Sequence, residues 1–175
     1  MRKSKLGITA FDLLVAMALA VLLLCTGVPG LRAFTLNQAM QAAVAGLYTD
    51  LQFARAEALR LNAEVVACPG SESAGCAGDA NWHAGWLVFA DLDGNRERLI
   101  TEPLLRLGPA VAGLEITSSL ARNRLRFSPG GAAPGSNTTL RFCDDRGPES
   151  AREIRISASG RVRSLTAEET PSRPC

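Results

Sequence analysis

Apolar residues dominate the beginning of the chain. Residues 8–28 form a run of 21 residues that is apolar almost throughout, and a short basic leader, MRKSKL, precedes it. A helix needs about 20 such residues to cross a bilayer, and the charges of Arg2, Lys3 and Lys5 favour a cytoplasmic N-terminus. The pattern predicts a transmembrane helix over residues 8–28 with the bulk of the chain outside the cytoplasm. A cleaved secretory signal is the alternative.

The apolar pattern continues after Val28 with the spacing of a helix. Apolar residues recur at steps of three and four, with polar residues on the other faces. They are Leu36, Met40, Ala43 or Val44, Leu47, Leu51, Ala54, Ala58 and Leu61. We therefore predict one helix from about Ile8 to Leu61, bent near Pro29 because proline removes a backbone hydrogen bond. Its second half, residues 29–61, is amphipathic and is expected to pack on a domain.

Beyond Leu61 the pattern changes to short alternating runs that are separated by Gly, Pro, Asn and Asp, as is typical of strands and turns. The predicted strands cover residues 63–68, 85–91, 98–107, 113–118, 123–128, 138–143, 152–158 and 160–165, with a possible break at Pro103. A long helix on an antiparallel sheet formed by residues 62–175 is an α+β fold. The Gly- and Pro-rich segment 128–137 is expected to be an exposed loop.

Charge is unevenly distributed, although the net charge is only +2. Residues 120–175 contain ten arginines and six acids, whereas residues 1–119 contain nine basic and eleven acidic residues. A basic C-terminal part makes an anionic partner worth testing. Because no lysine follows Lys5, part of this arginine content reflects a general preference for arginine.

Four of the five cysteines follow the apolar run, which contains Cys25. Their spacing does not match a zinc site, and the only histidine is His83. After an export-type N-terminus, four cysteines predict two disulfides. Of the three possible pairings, the short separation favours Cys68–Cys76, which leaves Cys143–Cys175. Reduced, buried cysteines are the alternative.

One acid, Asp12, lies inside the apolar run. It is the fifth residue after Gly7, and Pro29 is the twenty-second. This arrangement resembles the N-terminus of type IV pilins and pseudopilins. The resemblance implies that a prepilin peptidase cleaves between Gly7 and Ile8, and that Asp12 pairs with the N-terminal amine of a neighbouring subunit, since a buried carboxylate needs a partner. The family usually has Phe and Glu where this chain has Ile8 and Asp12.

Further stretches of sequence indicate which group of pilins the chain resembles. LQFARAEALRLN, VVACP, WHAGWLVFADLDGNRE and the late RFCDDRG and EIRISASGRVR follow one another in the order typical of FimT/GspH-type minor pilins. The resemblance implies other pilins, a prepilin peptidase and the inner membrane as partners. It also implies a single-pass protein with its bulk in the periplasm, which becomes extracellular when it is assembled in a pilus.

Arginines alternate with apolar residues in the last third of the chain. They are Arg124, Arg126, Arg141, Arg155, Arg161 and Arg163. Period two turns the apolar residues toward the helix and the arginines outward. If the strands are neighbours, the outer face carries an arginine cluster. Guanidinium groups bind phosphates through two parallel hydrogen bonds. An ordinary solvated sheet face is the alternative.

The same family resemblance gives this pattern a function. FimT-type pilins carry a C-terminal GRxR element that is implicated in DNA binding during natural transformation, and Gly160, Arg161, Val162 and Arg163 match it. The resemblance implies non-specific binding of double-stranded DNA. The alternative is a structural GspH- or FimU-like component that primes a pilus or a type II secretion pseudopilus.

No other motif indicates chemistry. The stretch DLDGN (91–95) departs from a calcium loop and predicts a hairpin turn. Trp82, Trp86 and Phe89 are expected in the core, and His83 is expected to be packed rather than catalytic. We predict no enzyme activity, no cofactor and no metal.

Overall fold

The computed structural model describes residues 10–166, 168–169 and 175, and within them it shows an α+β fold. Helix α1 (Ala10–Leu61) is continuous through residues 27–30 and ends at the predicted Leu61. Gly7 and Ile8 lie outside the described residues. The contacts divide the chain into two units, residues 1–39 and residues 40–175.

The part of α1 in the first unit presents large apolar side chains to its surroundings. Those exposed are Phe11, Leu13, Leu14, Val15, Met17, Leu19, Val21, Leu22, Leu23, Val28, Leu31 and Phe34. Asp12 lies in the first turn of the described part of α1. Among the described residues, no helix has both the length and the apolar character that crossing a membrane requires. The span predicted over residues 8–28 is therefore not confirmed.

The described residues of the second unit contain nine short strands. They are β1 (Glu64–Ser71), β2 (Gly75–Cys76), β3 (Trp86–Asp91), β4 (Leu104–Gly108), β5 (Glu115–Thr117), β6 (Leu125–Phe127), β7 (Thr138–Cys143), β8 (Arg152–Ile156) and β9 (Val162–Leu165). The first sheet has the order β2-β1-β3-β4, with β6 also paired to β1, and the second sheet has the order β5-β7-β8-β9. All pairings are antiparallel, as predicted.

Each predicted strand overlaps an observed one. β1 extends to Ser71, beyond the predicted end at residue 68, and there are two further differences. The prediction over residues 98–107 was too long, because β4 begins only after Pro103, which has no N–H to donate to a sheet. The two-residue strand β2 was not predicted.

The part of α1 in the second unit packs on both sheets. Its buried residues are Met40, Ala43, Val44, Leu47, Leu51, Ala54 and Ala58, and they share one core with the inward faces of the sheets. Leu61, predicted to join them, is 37% exposed. Trp82, Trp86 and Phe89 are buried as expected. The indole N–H of Trp86 donates to the Asp50 carboxylate at 2.8 Å, which fixes the helix against β3.

The connection between β3 and β4 joins two antiparallel strands, as the hairpin predicted at DLDGN requires, but it is longer than a simple turn. It runs over residues 92–103 and is organised by two buried carboxylates, Asp91 and Glu102. Asp91 accepts hydrogen bonds from the backbone N–H groups of Gly94 and Arg96. Glu102 accepts them from those of Leu92 and Leu99.

Both predicted disulfides are present. Cys68–Cys76 joins β1 to β2, and Cys143–Cys175 ties the end of the chain to β7.

The segment 128–137 has no strand, but the expectation that it is exposed was wrong in part. Gly131, Ala133 and Ser136 are buried. The N–H of Ala133 donates to the carbonyl of Ala158 at 2.9 Å, and Arg55 Nε donates to the carbonyl of Gly131 at 2.9 Å. These bonds hold the segment between α1 and the turn that connects β8 to β9.

Candidate nucleic-acid interface

Arginines from β8 and β9 meet on the outer face of the second sheet. Arg155 and Arg163 are direct partners in the β8–β9 register, so their Cα atoms are about 5 Å apart. Together with Arg161 they line a groove of about 690 Å³. Its remaining polar lining comes from Asn137, Thr138, Thr139, Ser157 and Ser159. We call this the arginine groove.

The alternation predicted from the sequence is confirmed on these strands. Ile154 and Ile156 of β8 and Val162 of β9 are buried in the core that contains the helix residues, whereas Arg155 and Arg163 are exposed. The arginines are therefore oriented outward because their apolar neighbours are held inward.

The turn between β8 and β9 depends on Gly160. Its φ is +77°, a conformation that residues with a Cβ rarely adopt, and a Cβ at this position would collide with the carbonyl oxygen of Gly131. Hydrogen bonds close the turn from Gly160 N–H to the Ser157 carbonyl at 2.9 Å, from Ser157 N–H to the Arg161 carbonyl at 3.0 Å and from Arg161 N–H to Ser157 Oγ at 3.2 Å. Arg161 thus leaves the turn in a fixed position.

Counter-charges distinguish the arginines of this sheet. Glu153 is buried and accepts hydrogen bonds from Arg141 at 2.9 Å and from Arg155 at 2.8 Å. The Arg141 side chain is only 12% exposed, whereas that of Arg155 is 45% exposed. Within the part of the chain that the structure describes, neither Arg161 nor Arg163 forms an ion pair.

A second acid, Glu169, lies near the exposed arginines. Hydrogen bonds from the backbone N–H and the hydroxyl of Thr166 lower the pKa of Glu169, and the charges of Arg163 and Arg155 lower it further. Glu169 is thus ionised at neutral pH and partly offsets the positive potential at this end of β9.

Two of the predicted arginines are placed elsewhere. Arg126 belongs to β6 of the first sheet and Arg124 immediately precedes that strand, so neither lies in the second sheet. Arg124 pairs with Glu97, and Arg126 pairs with Glu64 at 3.1 Å. The arginine-bearing strands do not form one continuous face, which corrects the cluster expected if all of them were neighbours.

The polar lining of the groove was missed in the sequence. Thr139 faces Arg155 in the β7–β8 register, and Ser157 and Ser159 lie in the glycine turn. These residues come together only through strand pairing. The signals in the sequence that could have identified them were their hydroxyl side chains and their proximity to GRVR along the chain.

Three carboxylates lie close together outside this groove. Oxygen atoms of Asp91, Asp93 and Glu102 are within 4.8 Å of one another, an arrangement that could hold a metal ion. Burial raises the pKa of Asp91, and the nearby charge of Glu102 raises it further, while the hydrogen bonds from Arg96 and Gly94 lower it. The buried Asp91 and Glu102 also accept backbone N–H groups of the β3–β4 connection. The partly buried His83 accepts the N–H of Ile116 at 3.4 Å.

The comparisons with known proteins match this architecture. Residues 43–160 match the family model described as Type II transport protein GspH. The fold is similar to the crystal structure, in space group P21, of the type IV minor pilin FimU from Pseudomonas aeruginosa strain PAO1, with 22% identity, coverage of 79% of this chain and 96% of that chain, and a TM-score of 0.62. It is also similar to the minor pseudopilin EpsH from the Type 2 Secretion System of Vibrio cholerae, with 11% identity, 73% and 96% coverage, and a TM-score of 0.52. No curated protein matches the chain significantly.

Proposed function

Because the chain belongs to the Type II transport protein GspH family and has the fold of a minor pilin, we propose that it is a type IV pilus subunit that binds extracellular double-stranded DNA. Binding serves DNA uptake in natural transformation and has little sequence preference. The observation that carries the proposal is the arginine groove, in which Arg155, Arg161 and Arg163 converge beside hydroxyl and amide side chains.

The chemistry of the groove suits a phosphate backbone. Guanidinium groups bind phosphate oxygens with two parallel hydrogen bonds, and Ser, Thr and Asn side chains add neutral ones. Such contacts position a duplex but do not read its bases. With about three arginine contacts, binding should be modest and should weaken as salt rises, because each contact releases counterions from the DNA.

A mobility-shift assay tests this proposal. The full chain in a nonionic detergent is titrated into a labelled duplex of mixed sequence, and Arg161→Gln with Arg163→Gln is compared with the parent. We expect the double variant to bind at least about tenfold more weakly, since hydrogen bonds to charged groups contribute about 1.5–3 kcal/mol each.

The matched control removes the same charge elsewhere. Arg60→Gln with Arg96→Gln alters two exposed arginines that lie outside the second sheet, and it should bind almost as the parent does. If the groove variant and the control bind equally well, the site assignment is wrong.

We further propose that the N-terminal part of α1 assembles the subunit with other pilins. Its exposed apolar side chains support this role, because a large apolar surface is typical of a site that is buried against a partner. In this proposal a prepilin peptidase cleaves between Gly7 and Ile8, Asp12 pairs with the new N-terminal amine of a neighbour, and Pro29 shapes the helix. A stage in the inner membrane before assembly stays a prediction.

Filament incorporation tests the role of Asp12. Asp12→Ala should lower the amount of the subunit in sheared filaments, and Asp12→Glu should restore it because it keeps the carboxylate. Unchanged incorporation of Asp12→Ala would contradict the pairing.

A structural role without DNA is the second candidate. The family description and the likeness to EpsH both point toward type II secretion. In that case the chain primes a pseudopilus or pilus, and the groove arginines are a solvated surface. Neighbouring genes for a secretion machine, together with no shift of DNA by the parent, would favour this candidate.

A further inference from the structure

A second, less polar cleft lies on the other side of β9, between this strand and α1. It has a volume of about 530 Å³, and its apolar lining includes Val44, Ala45 and Tyr48 of the helix together with Leu165. The helix residues belong to the same unit as the sheet, residues 40–175. The cleft is an opening at one corner of the main core.

The sequence explains why the core is open here. Residues 152, 154 and 156 of β8 face the same side of the sheet, and Ile154 and Ile156 are buried against the helix. At the corner the inward-facing positions are Arg152 and, on β9, Ser164. Neither side chain fills the space that an apolar residue would occupy.

Arg152 places a positive charge at the edge of this apolar cleft. Its side chain is half-buried, and within the described residues its guanidinium forms no ion pair. A partly desolvated cation binds an anion more strongly than an exposed one. The cleft therefore combines an apolar floor with a single site for a carboxylate.

The backbone beside the cleft is also available. Among the described residues, β9 is the last strand of the second sheet, and one edge of Val162–Leu165 has no strand partner there. An unpaired strand edge is a template for an incoming extended chain. Ser164 and Leu165 line the cleft directly.

We propose that this cleft docks an extended segment of another protein chain, which pairs with the free edge of β9. The segment carries an acidic residue that binds Arg152 and, two positions away, an apolar residue that covers Val44, Ala45 and Tyr48. Residues two apart on a strand face the same side, so one segment satisfies both requirements.

Charge complementarity supports an acidic occupant. A second cleft continues along β9 and shares Tyr48, Ser164 and Leu165 with the first. It adds Arg55, Arg161 and Arg163, against the single acid Glu169. An approaching segment thus meets cations along the whole strand edge.

Fluorescence anisotropy with a synthetic peptide tests the docking. The probe is fluorescein-labelled, amidated TLTETVT, in which the Leu, Glu and Val share one face, and the control probe TLTQTVT lacks the acid. With the full chain in nonionic detergent we expect saturable binding of the first probe and at least about tenfold weaker binding of the second.

Three variants locate the site. Arg152→Gln should weaken the acidic probe at least about tenfold and abolish the difference between the two probes. Ser164→Leu should block both probes because it fills the cleft. Arg163 does not line the docking cleft itself and acts on the peptide only as an exposed charge in the neighbouring cleft. Arg163→Gln should therefore weaken DNA binding clearly but change peptide binding less than about threefold.

Hydrogen exchange gives an independent measurement. Amide protons of residues 162–165 should exchange more slowly with the acidic probe bound, because one edge of β9 gains hydrogen bonds. Equal binding of the two probes, full binding by Arg152→Gln, or no saturable binding below about 1 mM would each overturn the proposal. A duplex that displaces the probe from the parent and from Arg163→Gln alike would also overturn it, because the cleft would then belong to nucleic acid.

Discussion

Glu153 is the buried charge on which the second sheet depends most. It is 1% exposed and holds Arg141 and Arg155 through one carboxylate. Removing one partner of a buried ion pair leaves the other uncompensated, which costs about 3–5 kcal/mol. The cost here should lie near the lower value, because the Arg155 side chain is 45% exposed and water can solvate it.

We therefore predict that Glu153→Gln lowers the free energy of unfolding by about 3 kcal/mol. Urea denaturation followed by the fluorescence of the two buried tryptophans measures it. The matched control is Glu57→Gln, which breaks the pair with Arg60 on α1. Because the Arg60 side chain is 64% exposed and water can solvate it, this change should lower the midpoint much less. Equal effects of the two variants would contradict the role of Glu153.

Substitution of Gly160 allows the cost of backbone strain to be distinguished from the cost of a steric collision. Gly160→Ala should cost clearly more stability than Gly113→Ala, although both glycines have a φ near +75°. A Cβ at Gly113 meets no atom within 4 Å, whereas one at Gly160 collides with Gly131. The left-handed backbone alone costs about 1–2 kcal/mol. Any further loss of unfolding free energy in Gly160→Ala therefore measures the collision.

If Gly160→Ala and Gly113→Ala lower the unfolding midpoint equally, the close approach of the turn to Gly131 does not constrain the protein. The same variants should differ in DNA binding, because only Gly160 positions Arg161.

Asp144 gives the second sheet a pH dependence. Hydrogen bonds from the Arg146 side chain lower its pKa below the ordinary value of 3.8, outweighing the effect of burial. A carboxyl group with a lowered folded-state pKa stabilises the protein above its unfolded pKa, and this contribution disappears as pH falls through the folded value.

The stability difference between the parent and Asp144→Asn should therefore be constant near neutral pH and shrink as pH falls below 3.8. Urea denaturation at a series of pH values measures it. A difference that grows toward acidic pH would contradict the assignment.

At the scale of elements, the two disulfides should differ in their contribution to stability. They close loops with sequence separations of 8 and 32 residues. Loop-closure entropy gives about 2.6 kcal/mol for Cys68–Cys76 and about 3.7 kcal/mol for Cys143–Cys175. Removal of the longer link by paired Cys→Ala substitutions should therefore lower the unfolding free energy more, and the reverse order would show that native contacts, not loop length, dominate.

The elements were predictable where the pattern is local. The period of Met40, Leu47, Leu51 and Ala58 predicted the packed helix face, because helix periodicity is fixed by neighbours a few residues apart. In the same way, the alternation of apolar and polar residues predicted which residues of β7, β8 and β9 face the core.

The sequence did not predict which strands share a sheet. Arg126 and Arg141 show the same alternation, but β6 pairs with β1 and β7 pairs with β5 and β8. Strand pairing depends on contacts far apart in the chain, so equal local patterns led to different sheets. The opening beside Ser164 has the same origin, because no local signal reports that a helix leaves a corner uncovered.

At the scale of the whole molecule, β9 divides two surfaces. One face presents the arginine groove, and the strand edge toward α1 presents the docking cleft. A subunit with this arrangement could contact DNA and a neighbouring chain through adjacent sides of one strand, without a moving part. The central claim is that the arginine groove binds the phosphates of DNA.

The salt dependence of DNA affinity tests that claim most directly. The logarithm of the binding constant should fall linearly with the logarithm of salt concentration, and Arg161→Gln with Arg163→Gln should reduce the slope by about 2, one unit for each lost phosphate contact. The control Arg60→Gln with Arg96→Gln should keep the parent slope. An unchanged slope in the groove variant would contradict the account, because the phosphates would then be bound elsewhere.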